Sequence, residues 1–272
     1  MQARAAAAVS DAIVAQFQAD GAVLLPRVFV DWVDVLRAGV ARNMADPSPL
    51  ERTYSPDDGS APFFQDFCNW TRIEEFRAFV FGSPAAALAA RLMGSATVRF
   101  FHDHVLVKQP GTSAVTPWHQ DQPYYCVDGL QTVSFWTPLD SVGRELAMQC
   151  IAGSHRSGRL YRPRRFDGQP LYASDRFDDM PDIEAGRSRL RILDWELDPG
   201  DAIAFSFRTL HGAPANRSRA ARRVFSSRWL GDDAVFAERG GRTSPPFPHL
   251  KLRQGDPLAV ADFPLVFKQD AR

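Results

Sequence analysis

The sequence predicts a mainly β fold, a sandwich or barrel, preceded by a helical flank. From Val98 onward the chain breaks into short β-rich runs at 98–108, 131–139, 194–197, 202–211 and 222–230, separated by turns such as Gln109-Pro110-Gly111 and Asp198-Pro199-Gly200. Before Val98 the apolar residues recur instead at spacings of three and four, the helical period. Apolar residues make up 45% of the chain, with 20 Phe and 6 Trp, enough bulk to fill a barrel interior. Sandwiches and barrels of this size, 272 residues, commonly form one domain. No repeat, low-complexity tract or shift in composition divides the chain. The expected organisation is a flank over 1–97, a β core over 98–230 and a C-terminal tail over 231–272.

In the flank, Ser10-Asp11 ahead of Ile13, Val14 and Phe17 predicts a capped helix ending near Gly21. The stretch from Ala5 to Val9 reads as an exposed helix and not as a signal peptide, because it is short and no apolar run follows Asp11. A strand over 22–25 ends at Pro26, and Val33, Leu36, Val40 and Met44 mark a second helix, ended by Pro47 and Pro49. After a turn-rich loop at 56–62, the pattern over 73–93 is helical again, with Pro84 suited to a first turn and Gly94 as the stop. No residue of this flank is placed to do chemistry. In the core, 202–211 reads as one alternating run with Ile203, Phe205, Phe207, Thr209 and His211 on one face. The polar, aperiodic stretch 161–189 reads as a long loop of the kind used as a lid.

Lys plus Arg equals Asp plus Glu, 32 each, which gives no footprint for nucleic acid or for a charged membrane surface, so a small-molecule partner is expected. Cys68, Cys126 and Cys150 are odd in number and widely spaced; they build neither a disulfide framework nor a zinc site and suit a reducing, cytoplasmic compartment. No run approaches the roughly 20 apolar residues of a membrane span.

The chemistry points to Trp118-His119-Gln120-Asp121. On an extended segment the period of two sets His119 and Asp121 on one face and turns Gln120 away. His211 would close an apolar interior row. Two histidines and one carboxylate with coordination positions left open form the facial set expected of non-haem Fe(II) oxygenases. His102 and His104 are a competing pair, but Asp103 between them points the opposite way; they read as pocket or core histidines. His155 follows a turn and reads as structural, and His249 as a surface residue. On 222–230, Arg222, Val224, Ser226 and Arg228 share one face and Arg223, Phe225, Ser227 and Trp229 the other, so an inward Arg222 implies an inward Arg228. Lys108 shares the face of His102 and His104, where it reaches either the pocket mouth or, by snorkelling, water. Arg156, Arg159, Arg162, Arg164 and Arg165 could attract an anionic substrate or form a solvated face.

His119-Gln120-Asp121, His211-Gly212 and Arg222, eleven positions after His211, together resemble the phytanoyl-CoA dioxygenase family of Fe(II)/2-oxoglutarate oxygenases. The stretches 101–108, Trp136-Thr137-Pro138-Leu139, Ala152-Gly153-Ser154-His155-Arg156 and Asp20-Gly21-Ala22-Val23 support the resemblance, which runs from about Phe17 to about Trp229. It implies a double-stranded β-helix, the cupin-like jelly-roll, holding Fe(II) through His119, Asp121 and His211. It also implies that Arg222 pairs with the distal carboxylate of 2-oxoglutarate, that Trp136 lines that pocket and that His104 stands at a further cosubstrate position. Lys108 joins these as a candidate, and Arg228 and His102 are candidates for contacting substrate. One departure is Ala213, where the family places a hydroxyl that contacts the cosubstrate. Asp121 argues against halogenation, which in such relatives needs a small residue there. The implied reaction uses O2 and 2-oxoglutarate to hydroxylate an unactivated C–H, with release of succinate and CO2. Two other classes stay open: a cupin-like binding module without turnover, which does not require Arg222, and a zinc-dependent hydrolase, which needs a general base. The substrate itself is not legible.

Overall fold

Ser10 caps the first helix, α1 (Asp11–Asp20), by accepting a hydrogen bond from the backbone N–H of Ile13, and Gly21 ends it at φ 77°. A side chain at Gly21 would collide with His155 and Thr209, so glycine alone lets the chain pass straight from helix to strand there. The computed structural model describes residues 9–165, 168–172 and 176–269. The reading of Ala5 to Val9 as an exposed helix lies outside these residues, apart from Val9, which is buried.

The flank continues as β1 (Ala22–Leu25), α2 (Val33–Ala45), β2 (Phe63–Phe67), α3 (Glu74–Gly82) and α4 (Ala85–Met93). The core then runs through β3 (Thr97–Lys108), β4 (Thr116–His119), β5 (Val127–Asp128), β6 (Thr132–Pro138) and β7 (Gln149–Ile151). A short helix, α5 (Ile183–Gly186), precedes β8 (Ile192–Leu193), β9 (Ala202–Phe205), β10 (His211–Ala213) and β11 (Arg222–Leu230). Two last strands, β12 (Val235–Phe236) and β13 (Leu265–Lys268), follow.

Most of these strands make a cupin-like jelly-roll of two antiparallel sheets, while β5 and β12 pair with each other in a small third one. The larger has the order β1-β9-β6-β11-β3-β13, with β2 also on β3, and the smaller has the order β4-β10-β7-β8. The long β3 pairs with β11 along one edge and with β2 and β13 along different parts of the other. The alternation expected of β11 decides which face of the large sheet meets what. Phe225 and Trp229 pack with Phe76, Phe79 and Leu88 of the helices, while Val224 packs with Trp136, Met148 and Ala213 between the sheets. The helices thus cover the outer face of the large sheet, and the inner face is left for the site.

Three expectations need correction. The run 202–211 is not one strand: β9 stops at Phe205, a turn closes with the Thr209 N–H on the Ser206 carbonyl at 2.9 Å, and the chain resumes in the other sheet as β10. Phe207 consequently packs with Phe101 and Tyr125 in a separate cluster. Apolar residues stay buried on both sides of the crossing, so their alternation could not reveal a change of sheet. Over 194–197 only Leu197 forms a bridge, with Val142, and the strand is the shorter β8 before it. Finally, the flank holds β2 besides the expected strand at 22–25, both strands join the large sheet, and β13 of the tail lies on β3. No helix among the described residues is long and apolar enough to cross a membrane.

Phe225 is fully buried, with its ring centroid 4.6 Å from that of Phe76 and 5.3 Å from that of Phe79. Phe225→Ala is expected to cost about 3 to 5 kcal/mol of unfolding free energy. Phe81→Ala, at a ring 40% exposed, should cost markedly less. Chemical denaturation of the two variants measures the difference.

Candidate metal centre

His119 ends β4, His211 begins β10, and the two are register partners in the small sheet. Their rings are therefore neighbours, with centroids 4.2 Å apart. Asp121 reaches them by a route that strand alternation does not describe. The strand stops at His119, and Asp121, at φ −71° and ψ −43°, opens the turn Gln122–Tyr124, which brings its carboxylate back beside the imidazoles. Its Oδ1 lies 3.6 Å from His119 Nε2 and 3.8 Å from His211 Nε2. Gln120 does point the other way, where its amide donates to the Arg208 carbonyl at 2.8 Å and accepts from the Tyr161 N–H at 3.0 Å.

The backbone sets the tautomers. His119 Nδ1 lies 2.8 Å from the Pro117 carbonyl and His211 Nδ1 3.0 Å from that of Thr209. A carbonyl only accepts, so each Nδ1 carries the proton and each Nε2 turns its lone pair toward Asp121. This is the form in which imidazole binds a metal, its other nitrogen anchored on a carbonyl. Burial, and next the His119 ring, push His211 down to about 3, so it is neutral at physiological pH. Burial alone would raise the Asp121 carboxyl, but Arg228, His119 and His211 together hold it well below the usual range and keep it ionised. One ligand atom from each of the three residues lies within 4.8 Å of the others, a set able to hold a metal ion.

The triad opens into a cavity of about 780 Å³ between the sheets. At one end stand Arg222 and Lys108, register partners on β11 and β3, 6% and 1% exposed. Arg222 donates to the Leu146 carbonyl and lies 5.8 Å from the Trp136 ring. Lys108 donates to the carbonyls of Pro214 at 2.8 Å and Ala213 at 3.3 Å and lies 4.9 Å from the Phe63 ring. Among the described residues neither cation forms an ion pair. Burial lowers Arg222 to about 10; burial, and then Arg222, lower Lys108 to about 6. A buried guanidinium beside a buried amine that can take up a proton, with no carboxylate between them, makes a receptor for an anion. The lysine ammonium also stands against the backbone of Ala213, the position at which a hydroxyl is missing.

The other end is formed by His104, Tyr125 and Arg228. His104 lines the cavity with its ring stacked on Phe67 at 3.9 Å. His102 is not brought to the cavity: Tyr125 stands edge-on against its ring at 5.1 Å, and its Nδ1 faces the Asp103 carbonyl at 3.1 Å. Arg228 faces inward like Arg222, but its Nε lies 3.5 Å from Asp121 Oδ2. Away from the cavity, His155 packs on α1 through the Gln18 carbonyl, and His249 pairs with Asp262 at the surface.

Several wall residues escaped the sequence reading. Tyr54, Phe63 and Phe67 come from the flank expected to carry no chemistry, and the alternation of Phe63, Gln65 and Phe67 was the available signal. The 161–189 loop supplies Arg162, Arg164, Arg165, Met180 and Ile183 to the mouth. It is tied down by Trp118 Nε1 on Glu184 at 2.8 Å and by the Tyr124 hydroxyl on the Arg164 carbonyl at 2.7 Å.

A jelly-roll with two histidines and an aspartate converging at the mouth of an inter-sheet cavity is the architecture of a mononuclear metal protein. The model of the phytanoyl-CoA dioxygenase (PhyH) family matches residues 17–224, and the chain belongs to that family. A probable phytanoyl-CoA dioxygenase of Caenorhabditis elegans is 21% identical over 182 residues, 65% of this chain, and the match spans only 54% of that relative's length. Among solved structures, the non-heme alpha ketoglutarate dependent carbocyclase SnoK from nogalamycin biosynthesis is similar at TM-score 0.76 and 24% identity, covering 96% of this chain and 98% of its own. The epimerase SnoN in complex with Fe3+, alpha ketoglutarate and nogalamycin RO gives 0.73 and 22%, covering 94% and 98%. EctD from S. alaskensis, with 2-oxoglutarate and 5-hydroxyectoine, gives 0.71 and 19%, covering 96% and 88%. At these identities the structural likeness concerns the fold.

Asp121→Ala should weaken binding of a divalent metal by at least the roughly 100-fold that loss of a ligand's supporting hydrogen bond can cost. Calorimetric titration with Fe(II) under argon, or with Co(II), measures the loss.

Proposed function

We propose that the protein is an Fe(II)- and 2-oxoglutarate-dependent dioxygenase that hydroxylates an unactivated C–H of a small organic substrate, with release of succinate and CO2. The observation that carries this reading is one cavity holding both the open-faced triad and the unpaired cations Arg222 and Lys108. The triad explains a metal, and the cations explain a dicarboxylate whose far end they receive.

The donor set fits Fe(II): two imidazoles in the ligating tautomer and one ionised carboxylate suit it, and three protein donors leave three of six octahedral positions. Bound iron would supply the activation of O2 and the oxidation of the C–H bond, chemistry that belongs to the metal and its cosubstrate. The side chains do the rest. His119, Asp121 and His211 would hold the ion. Arg222 orients the distal carboxylate with a planar pair of N–H donors, Lys108 adds a third donor on the side where Ala213 offers none, and Trp136 forms the wall. Phe63 and Tyr54 shield the Lys108 end from water, and Phe67 does so beside His104. The loop over 161–189, anchored through Trp118 and Tyr124, is the element that would close over substrate.

The cavity exceeds what 2-oxoglutarate fills, and its mouth carries Arg162, Arg164 and Arg165 beside the apolar Leu171, Met180 and Ile183. Arg162 and Arg164 both reach the exposed carboxylate of Asp179, at 3.3 and 3.6 Å. This supports a substrate with an apolar body and an anionic end.

Anaerobic addition of Fe(II) and 2-oxoglutarate should give a weak visible charge-transfer band, followed by succinate when O2 is admitted. Turnover that needs zinc and no oxygen would mark a hydrolase instead. Arg222→Ala should cost on the order of 2 to 5 kcal/mol of 2-oxoglutarate binding, the range for removing one half of a buried charge pair; an unchanged affinity would remove its role. Lys108, with a folded-state value of about 6, is mostly neutral at pH 8 in the free protein and must regain its proton to meet a dianion. Affinity for 2-oxoglutarate should therefore fall as pH rises above 6, approaching about tenfold per unit, with proton uptake on binding. Lys108→Met should flatten that profile in titrations run in buffers of different ionisation enthalpy.

A further inference from the structure

Asp121 shows its two oxygens to two different sets of neighbours. Oδ1 faces the imidazoles, 3.6 Å from His119 Nε2 and 3.8 Å from His211 Nε2. Oδ2 receives a hydrogen bond from the Ser134 hydroxyl at 3.3 Å and stands 3.5 Å from Arg228 Nε. Arg228 is held in its turn: Nε donates to the Tyr125 hydroxyl, Nη2 lies 3.5 Å from His104 Nδ1, and only 4% of the residue is exposed. Ser134 and Arg228 are register partners on β6 and β11, so the grip on Oδ2 is built from the middle of the large sheet. Turning the carboxylate to show both oxygens to one ion would pull it from a buried guanidinium, and separating a buried charge pair is strongly unfavourable.

We propose that Arg228, assisted by Ser134, is a positioning residue that withholds Oδ2 and keeps Asp121 a one-oxygen ligand. The proposal rests on the oxygenase reading, because that reaction is what makes the withheld oxygen matter. Three protein donors and two cosubstrate oxygens leave a single octahedral position for O2, and a second oxygen from Asp121 would fill it or displace the cosubstrate. Arg228, a candidate for substrate contact on its inward direction alone, is thereby assigned to the metal carboxylate.

Co(II) added to the intact protein, followed by 2-oxoglutarate, tests this through visible absorption that responds to coordination number. Arg228→Met keeps the side-chain volume while removing the donors, Arg228→Lys restores the charge, and Ser134→Ala loosens Oδ2 without touching the buried cation. Arg228→Met is expected to retain Co(II), the freed Oδ2 replacing the support that is lost, but to bind 2-oxoglutarate about 10- to 100-fold more weakly, the range over which such supporting groups act, with an altered Co(II) spectrum. Ser134→Ala should shift in the same direction by less, and Arg228→Lys should recover most of the loss. Co(II) spectra and 2-oxoglutarate affinities unchanged in both Arg228→Met and Ser134→Ala would overturn the proposal. So would equal losses of Co(II) and 2-oxoglutarate binding in Ser134→Ala, which would mark a merely structural contact. If Arg228→Met does not fold, Ser134→Ala decides. Failure of the oxygenase reading looks different: the unaltered Co(II)-loaded protein would then show no response to 2-oxoglutarate.

Discussion

His119 and His211 meet because β4 and β10 pair at those two residues, and the rest of the site depends on that pairing. It leaves the two Nδ1 atoms on backbone carbonyls and the two Nε2 atoms facing inward, so the ligating tautomer is imposed by the main chain. Asp121 then needs only a short turn to reach the third corner, and Gln120, bonded to loops on the opposite side, keeps that turn from rotating. A slip of one residue between β4 and β10 would turn one imidazole to the wrong face and leave no site.

The second requirement is to hold three basic side chains, Lys108, Arg222 and Arg228, inside a barrel, where uncompensated charge is costly and Lys108 gives up its proton above about pH 6. The two faces of β11 divide the work. Phe225 locks the strand onto the helices through Phe76 and Phe79 and Trp229 packs on Phe100 of β3, while Arg222, Ser226 and Arg228 face the cavity. Arg228 is compensated within the protein by Asp121 and Tyr125, whereas Arg222 and Lys108 hold only carbonyls. One arginine is thus paired within the protein, while the two neighbouring basic groups form no ion pair among the described residues.

The helical flank is more than a cover. Its β1 extends the large sheet beside β9, and β2 turns Phe63 and Phe67 into the cavity wall against Lys108 and His104. The described residues of 161–189 line the opposite side of the cavity and are fastened beside the triad, at Trp118 and Tyr124. Both walls are thus mechanically continuous with the triad.

Residue order alone was enough for the mainly β core, the helices before it, the identity of the three convergent ligands and the inward face of β11. Each of these follows from local periodicity or from motif spacing, which a linear chain displays directly. Only the fold decided that 202–211 crosses from one sheet to the other, that His102 lies behind Tyr125 while His104 lines the cavity, and that Arg228 turns to Asp121. These outcomes depend on which distant backbone stands opposite a given side chain, and a period of two says only which face a residue takes. Burial obeys the same rule: Lys108 reads equally as a pocket residue or as one snorkelling to water, and only the packing of β2 and β10 around it shows that it is 1% exposed.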